Sequence, residues 1–138
     1  MTHNKSGFTL IEIMIALTIV VLMTTAAIVS YGAVTRYAKT TATTSTLQTL
    51  KQAITLYNMQ TGMYPESLRD LIEKPANEEA GQRWGGPYLE VKKVPRDGWN
   101  NPFHYRLTPD QEHPYELYSF GDKGKGSPKA GHIDVWNM

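Results

Sequence analysis

The 138-residue sequence contains no cysteine, no excess of one charge and no cluster of basic residues. Without thiols the chain cannot form disulfides, bind metals through thiolates or use a cysteine nucleophile. Its formal net charge is +1, and its 14 lysines and arginines are scattered, whereas nucleic-acid-binding proteins normally carry a basic patch. These absences exclude a disulfide framework and predict that the chain has no DNA or RNA partner.

Charge is also missing from one long stretch near the amino end. The 23 residues between Glu12 and Arg36 carry no formal charge, and residues 13–22 are almost entirely aliphatic. At about 1.5 Å per residue, a helix of this length crosses the roughly 30 Å hydrocarbon core of a bilayer. The alternative, a cleaved secretory signal, has a shorter apolar core followed by a small-residue cleavage site. We predict a membrane-spanning helix, whose orientation is not decided by Lys5 on one side and Lys39 on the other.

The helical periodicity continues beyond the apolar stretch, but with only one apolar face. The residues of that face are Tyr37, Leu47, Leu50, Ile54 and Tyr57. The sequence predicts that the helix ends near Thr61 and Gly62, because glycine suits a C-terminal cap. The threonine-rich residues 40–46 have low helix propensity. We interpret them as a solvated face, with a filament contact as the alternative.

Proline residues delimit a second, shorter helix. It is predicted to open at residues 64–67, with Pro65 in its first turn, and to end before Pro75. Its buried face would consist of Leu68, Leu71 and Ile72. Residues 76–86, rich in glycine and charge, are expected to form a surface loop.

Period-two patterns predict strands in the second half of the chain. The strands are expected at residues 88–91, 103–107 and 115–120, with turn-forming residues between them. In FHYRL the apolar residues alternate with His104 and Arg106, so His104 should point outward. A small sheet cannot cover its own apolar face, which the stripe of the long helix would complete. The predicted fold class is therefore α+β, with a long N-terminal helix packed on an antiparallel sheet of about three strands.

The stretch GFTLIE, from Gly7 to Glu12, is similar to the processing motif of type IV prepilins. In that family a membrane peptidase cleaves between the glycine and the phenylalanine and methylates the new amino terminus. The resemblance implies that cleavage falls between Gly7 and Phe8 and that residues 1–7 are a leader. It also implies that residues 8–35 cross the inner membrane once and form the filament core, with a pilin-like periplasmic domain at residues 36–138.

The rest of the chain resembles the major, G-type pseudopilin family of type II secretion. The similarity lies in the YP pair, in GGPYLEVKKVPRDGWNNPFHYRL and in YELYSFGDKGK. It implies a homopolymer, the periplasmic pseudopilus, which works with minor pseudopilins and an inner-membrane platform protein to export folded proteins. It implies no enzymatic activity, and we predict no catalytic residue. The alternatives are a minor pseudopilin or type IV pilin subunit, and a membrane-tethered binding domain that does not polymerise.

Glu12 is the unexpected residue of the apolar helix. A carboxylate in hydrocarbon costs about 2.5–3.5 kcal/mol and usually has a partner. The amine that cleavage creates on Phe8 pairs awkwardly with Glu12 of the same rigid helix, whereas a neighbouring subunit's amine can reach it in a staggered bundle. We therefore expect Phe8 and Glu12 to direct assembly, as the resemblance also implies. The alternative is that Glu12 extends to the membrane interface near the helix start.

The resemblance also raises the question of calcium, because G-type pseudopilins commonly bind it in the loop after their last long strand. The candidate ligands in this sequence are Asp122, Asp134, Ser119 and Ser127. Gly131 and His132 stand about where relatives carry an acidic pair. Three lysines, Lys123, Lys125 and Lys129, would repel a divalent cation. The competing hypotheses are that Lys123 or Lys125 bridges the two acids instead, and that the loop is mobile and unanchored.

The remaining histidines and tryptophans give no sign of catalysis. His104, His113 and His132 lack the spacing of a metal or catalytic site. Trp84, Trp99 and Trp136 are interpreted as packing residues rather than as an aromatic binding platform.

Overall fold

The computed structural model describes residues 7–138, so Lys5 and the rest of the leader before Gly7 lie outside the described residues. The chain divides into two compact units, and the boundary falls between Tyr37 and Ala38. The domain limits expected from the sequence, at residues 7 and 35, stay predictions.

Helix α1 extends from Leu10 to Thr61. Its N-terminal part is long and apolar enough to cross a membrane, and the large apolar side chains described there are exposed. Four threonine hydroxyls before Arg36 donate to the carbonyl four residues earlier; the distances are 2.8 Å for Thr18, 2.7 Å for Thr24, 2.9 Å for Thr25 and 2.9 Å for Thr35. Lipid offers no hydrogen-bonding partner, so these bonds allow threonine in an apolar helix.

The second unit combines the rest of α1 with short elements and a sheet. They are a 3₁₀ turn at Leu68–Leu71, helix α2 at Glu78–Arg83, strand β1 at His104–Leu107, strand β2 at Tyr115–Ser119, 3₁₀ turns at Gly121–Lys123 and Lys129–Gly131, and strand β3 at Ile133–Asp134. The sheet is antiparallel with the order β1-β2-β3, so β2 lies in the centre. The expected fold class, a long helix with a three-stranded antiparallel sheet, is confirmed.

One face of α1 forms the centre of the core. Its buried residues are Thr43, Leu47, Leu50, Ala53, Ile54, Tyr57 and Thr61. The sheet contributes Tyr115 and Leu117, and the connecting segments contribute Leu68, Leu71, Leu89, Phe103 and Val135. The predicted stripe is confirmed from Leu47 onward, but Tyr37 is 75% exposed, so the buried face begins later than the sequence suggested.

The end of α1 follows its local sequence. Gly62 adopts a positive φ of 76°, a conformation that glycine reaches at no steric cost. The Thr61 hydroxyl is buried and donates to the Tyr57 carbonyl at 2.8 Å. The predicted helix end is therefore confirmed.

The predicted second helix is only one 3₁₀ turn, and the predicted loop contains a helix. Ser67 caps the turn, with its amide and its hydroxyl both donating to the Asp70 carboxylate at 3.0 and 3.2 Å. Pro65 precedes this cap, so it lies outside the turn. Asn77 accepts a hydrogen bond from the Ala80 amide at 3.1 Å and so starts α2 inside residues 76–86.

The first predicted strand, at residues 88–91, is wrong. The Tyr88 amide donates to the Leu71 carbonyl at 2.8 Å, so this segment is tied to the 3₁₀ turn instead of to the sheet. The third strand is Ile133–Asp134, where the sequence predicted no strand. The Val135 amide also donates to the Leu117 carbonyl at 3.0 Å, which extends the pairing with β2.

The threonine-rich stretch is not wholly solvated, because Thr43 is fully buried. Its hydroxyl donates to the Lys39 carbonyl at 2.8 Å and accepts from the Gly98 amide at 2.9 Å. A Cβ at residue 98 would lie 2.8 Å from the Lys39 Cα, so only glycine fits this contact. The turn at residues 95–102 is thereby docked directly on the backbone of α1.

Replacing Gly98 with alanine should destabilise the folded unit, because the added methyl group would meet helix backbone that cannot move aside. Overpacking of this kind costs about 1–3 kcal/mol, and in a domain of about 100 residues each kcal/mol lowers Tm by roughly 4–8 °C. Thermal unfolding of the full chain in detergent, followed by circular dichroism, measures the change. Gly131→Ala is the control, because its Cβ would meet no atom within 4 Å. Equal Tm values for the two variants would contradict the close contact.

Candidate functional site

The residues of the processing-type motif lie before and at the start of α1. Gly7, Phe8 and Thr9 are non-helical and exposed, and the Phe8 side chain is 83% exposed. The backbone around the Gly7–Phe8 bond is therefore outside regular structure.

Glu12 has a partner within the chain that the sequence interpretation missed. Its Oε2 accepts a hydrogen bond from the Thr9 amide at 3.3 Å, and its own amide donates to Thr9 Oγ1 at 3.3 Å. This reciprocal pair is a capping box, and the sequence signal was the Thr-x-x-Glu spacing before an apolar run. An amide donor satisfies the carboxylate oxygen without neutralising its charge. Capping therefore explains the position of Glu12 without supplying a positive charge to its carboxylate.

A buried carboxylate organises the turn at residues 95–102. Asp97 is buried, and its Oδ1 accepts from the amides of Trp99 at 3.0 Å and Asn101 at 2.8 Å. Its Oδ2 accepts from the Ser119 hydroxyl at 2.6 Å, at the end of β2. Ser119 is fully buried, and its Oγ in turn accepts from the Gly121 amide at 3.0 Å. One acid thus joins the turn to the sheet.

The candidate calcium ligands have other partners. Ser119 belongs to the Asp97 network, and the Ser127 hydroxyl donates to the Phe120 carbonyl at 2.7 Å. Asp134 Oδ1 accepts from the Trp136 amide at 2.9 Å, and Asp122 is exposed in the 3₁₀ turn after β2. Calcium needs six to eight oxygen ligands, mostly carboxylates. Within residues 7–138 no group of three His, Cys, Asp or Glu could hold a metal ion, so this donor set fits calcium poorly.

The two lysines proposed as substitutes for the ion are exposed. Among the described residues, neither Lys123 nor Lys125 makes an ion pair or a hydrogen bond with Asp134. The calcium and lysine-bridge hypotheses both stay predictions.

The outward face of the sheet carries an acid held by two basic side chains. Glu116 Oε1 accepts from Arg106 at 3.0 Å, and its Oε2 lies 3.3 Å from His104 Nε2. The hydrogen bond from Arg106 lowers the pKa of Glu116, with the nearby His104 acting in the same direction. His104 also stacks on Tyr118 at 4.5 Å between ring centroids, which confirms its outward orientation.

Two tryptophans fix connecting segments rather than forming an open platform. Trp84 Nε1 donates to the Asp70 carbonyl at 2.9 Å, and Trp136 Nε1 donates to the Tyr115 carbonyl at 2.9 Å. Trp136 also stacks on His113 at 4.2 Å, and the Lys51 ammonium lies 4.2 Å from its ring centroid. The interpretation of these two tryptophans as packing residues is confirmed.

The chain combines an exposed apolar helix, a processing-type motif at the start of that helix, and a small α+β unit. This combination is typical of pilin-like subunits anchored in a membrane. Comparison with known proteins narrows the class. Residues 31–138 match the family model for the type II secretion system protein G, and residues 2–28 match the prokaryotic N-terminal methylation motif. The chain belongs to the type II secretion system protein G family, whose members are structural subunits of the pseudopilus.

Individual relatives agree with this assignment. The chain is 31% identical to the type II secretion system core protein G of Pseudomonas aeruginosa, over 98% of this chain and 96% of the relative. It is 25% identical to the core protein G of Vibrio cholerae, over 99% of this chain and 94% of the relative. The crystal structure of the major pseudopilin of enterohaemorrhagic Escherichia coli matches with a TM-score of 0.60 and 21% identity, over 74% of this chain and 90% of that one. That structural match confirms the pilin-like fold.

The ion pair on the sheet should make a small, pH-dependent contribution to stability. The pKa of Glu116 is lower in the folded state than its ordinary 4.5. The stabilisation is therefore present above pH 4.5 and is lost as the pH falls through the folded-state pKa. Glu116→Gln should cost about 1 kcal/mol or less at pH 7, since about a third of the side chain is exposed and screened by solvent.

Urea unfolding of both proteins between pH 7 and pH 3 measures this contribution. The difference between wild type and Glu116→Gln should shrink toward zero at the acid end. Glu112→Gln, at an exposed position in the β1–β2 turn, is the control and should change nothing at either pH. A Glu116→Gln difference that is constant over this range would show that the charge of Glu116 is not responsible.

Proposed function

We propose that this chain is the major, polymer-forming subunit of a periplasmic pseudopilus of a type II secretion system. One observation carries the proposal: a family G unit follows an apolar helix whose described large side chains are exposed and whose first turn holds an acid. Such a surface needs either lipid or other copies of the same helix to cover it. A subunit that moves from membrane to filament uses both environments in turn.

The processing step is proposed at the Gly7–Phe8 bond. A peptidase needs non-helical, accessible backbone, and the described residues provide it immediately before α1. Cleavage would place a new, N-methylated amine on Phe8. The leader would then be on the cytoplasmic side, and the unit after Tyr37 would lie in the periplasm after a single membrane crossing.

The assembly step is proposed to pair Phe8 of one subunit with Glu12 of another. In the described conformation the Glu12 carboxylate turns back to the Thr9 amide, so a neutral donor occupies one oxygen and the charge stays available. In a staggered bundle the amine of a neighbouring copy supplies the positive charge. This pairing would set the register between subunits and lower the cost of an acid in hydrocarbon.

The partners follow from this role. They are other copies of the chain, minor pseudopilins, the inner-membrane platform protein and the prepilin peptidase that processes the leader. We propose no enzymatic activity and no nucleic-acid partner for the chain. The secreted proteins would be moved by the polymer as a whole.

A major subunit should form long fibres when it is overproduced together with its assembly machinery, because its own copies suffice to extend the polymer. Electron microscopy of sheared cells, with an antibody against the chain, detects such fibres. A minor pseudopilin would give no long fibres, and a tethered binding domain would remain monomeric in the membrane. Either of those results would contradict the proposal.

Charge and capping at Glu12 can be separated by substitution. Glu12→Gln keeps a side chain that can reach Thr9 but removes the charge, whereas Thr9→Ala removes the capping hydroxyl and keeps the charge. We expect Glu12→Gln and Glu12→Ala to be inserted and cleaved normally but to lower fibre yield roughly tenfold or more, as loss of a charge pair in an apolar environment would. Thr9→Ala should assemble nearly as wild type.

Immunoblots of the processed chain and quantified fibres give the two readouts. Wild-type fibre yield from Glu12→Gln, together with failure of Thr9→Ala, would assign Glu12 to helix capping and remove the charge-pairing step.

A further inference from the structure

The C-terminal loop, residues 121–132, connects the end of β2 to the start of β3. It contains two 3₁₀ turns, each closed by its own backbone hydrogen bonds. Its two ends meet closely: Gly121 has a positive φ of 73°, and a Cβ there would lie 2.5 Å from the Gly131 carbonyl oxygen. Ordering a loop of this length costs conformational entropy, which contacts between its two halves offset.

His132 provides such a contact. Its Nε2 lies 3.0 Å from the Ser127 carbonyl oxygen. A carbonyl oxygen can only accept, so this nitrogen carries a proton and donates. Ser127 is tied back in turn, because its hydroxyl donates to the Phe120 carbonyl at 2.7 Å. The middle of the loop is thereby connected both to its end and to its beginning.

Aromatic contacts hold the imidazole in place. The His132 ring stacks on Tyr118 of β2 at 4.6 Å with an interplanar angle of 10°. It meets Phe120 edge-on at 5.3 Å and 85°. His104 stacks on Tyr118 from the neighbouring strand β1, at 4.5 Å. Because β1 and β3 lie on opposite sides of β2, Tyr118 lies between the two imidazoles, and His132 is fixed by packing as well as by its hydrogen bond.

We propose that His132, acting through Ser127, closes the C-terminal loop in place of a metal ion. A calcium ion would order the loop by binding several oxygen atoms, whereas this imidazole donates to one carbonyl and packs against the rings of Tyr118 and Phe120. Both serine hydroxyls among the candidate ligands already have partners, and three lysines in the loop oppose a divalent cation. The order of the loop is therefore independent of calcium. This inference concerns the folded unit after Tyr37 and does not rest on the proposed polymerisation.

Hydrogen exchange of the full chain in detergent, read by mass spectrometry, tests the proposal on peptides covering residues 121–132. The wild-type loop should exchange slowly and at the same rate in calcium and in EGTA. His132→Ala should speed loop exchange roughly tenfold, because it removes a hydrogen bond and two ring contacts. His132→Gln should give a smaller increase, since an amide can donate but cannot stack.

Two controls separate the loop from the rest of the fold. Peptides from β2, residues 115–119, must keep their protection in every variant, which shows that the unit is folded. His104→Ala removes the other ring on Tyr118 without touching Ser127, and should leave loop exchange within about twofold of wild type.

Three results would overturn the proposal. Loop exchange that slows in calcium and recovers in EGTA would show that a metal closes the loop. Unchanged loop exchange in both His132 variants would show that the histidine does not close the loop. Wild-type loop exchange as fast as that of an unfolded peptide would show that no interaction closes the loop. Fibre formation is a separate readout, so none of these results bears on the polymer role.

Discussion

The buried carboxylate of Asp97 is the interaction on which the arrangement of the second unit depends. A buried charge is costly unless its oxygen atoms are hydrogen-bonded, and Asp97 accepts three bonds, two from its own turn and one from Ser119 at the end of β2. The next residue, Gly98, donates to Thr43 on α1. Helix, turn and sheet are therefore fixed at one point, and the C-terminal loop starts from it through the Gly121 amide.

The parts of α1 before and after Tyr37 both have to provide hydrogen-bond partners for their threonine hydroxyls. In both, threonine hydroxyls donate to the carbonyl four residues earlier, so a threonine-rich helix leaves its hydroxyls satisfied whether its neighbours are lipid or protein. The parts differ in what covers their apolar side chains. The later part buries one face in its own unit, while the earlier part exposes its apolar side chains, which is the property that a polymerising helix requires.

Local signals in the sequence were sufficient for α1, because glycine at residue 62 and the spacing from Leu47 to Tyr57 both act within one helix. They failed where a distant contact decides the structure. The burial of Thr43 depends on Gly98, which lies 55 residues further along the chain, and the segment at residues 88–91 pairs with the turn near Leu71 instead of a strand. Strand β3 has only two residues, too few to show a period. At the candidate site, the Thr9–Glu12 spacing was visible in the sequence, whereas the contacts of His132 join three separate segments and were not.

The N-terminal end of α1 is electrostatically positive because of the peptide dipoles of the helix. Aligned dipoles sum to about half a positive charge at the N-terminal end of a helix, where they favour anions and disfavour cations. The first turn here contains an acid, which suits that end. An ammonium generated at residue 8 would lie at the positive, unfavourable end of its own helix. If the chain is cleaved as proposed, a second helix that brings its acid beside this ammonium would offset the repulsion from the dipoles of the first helix.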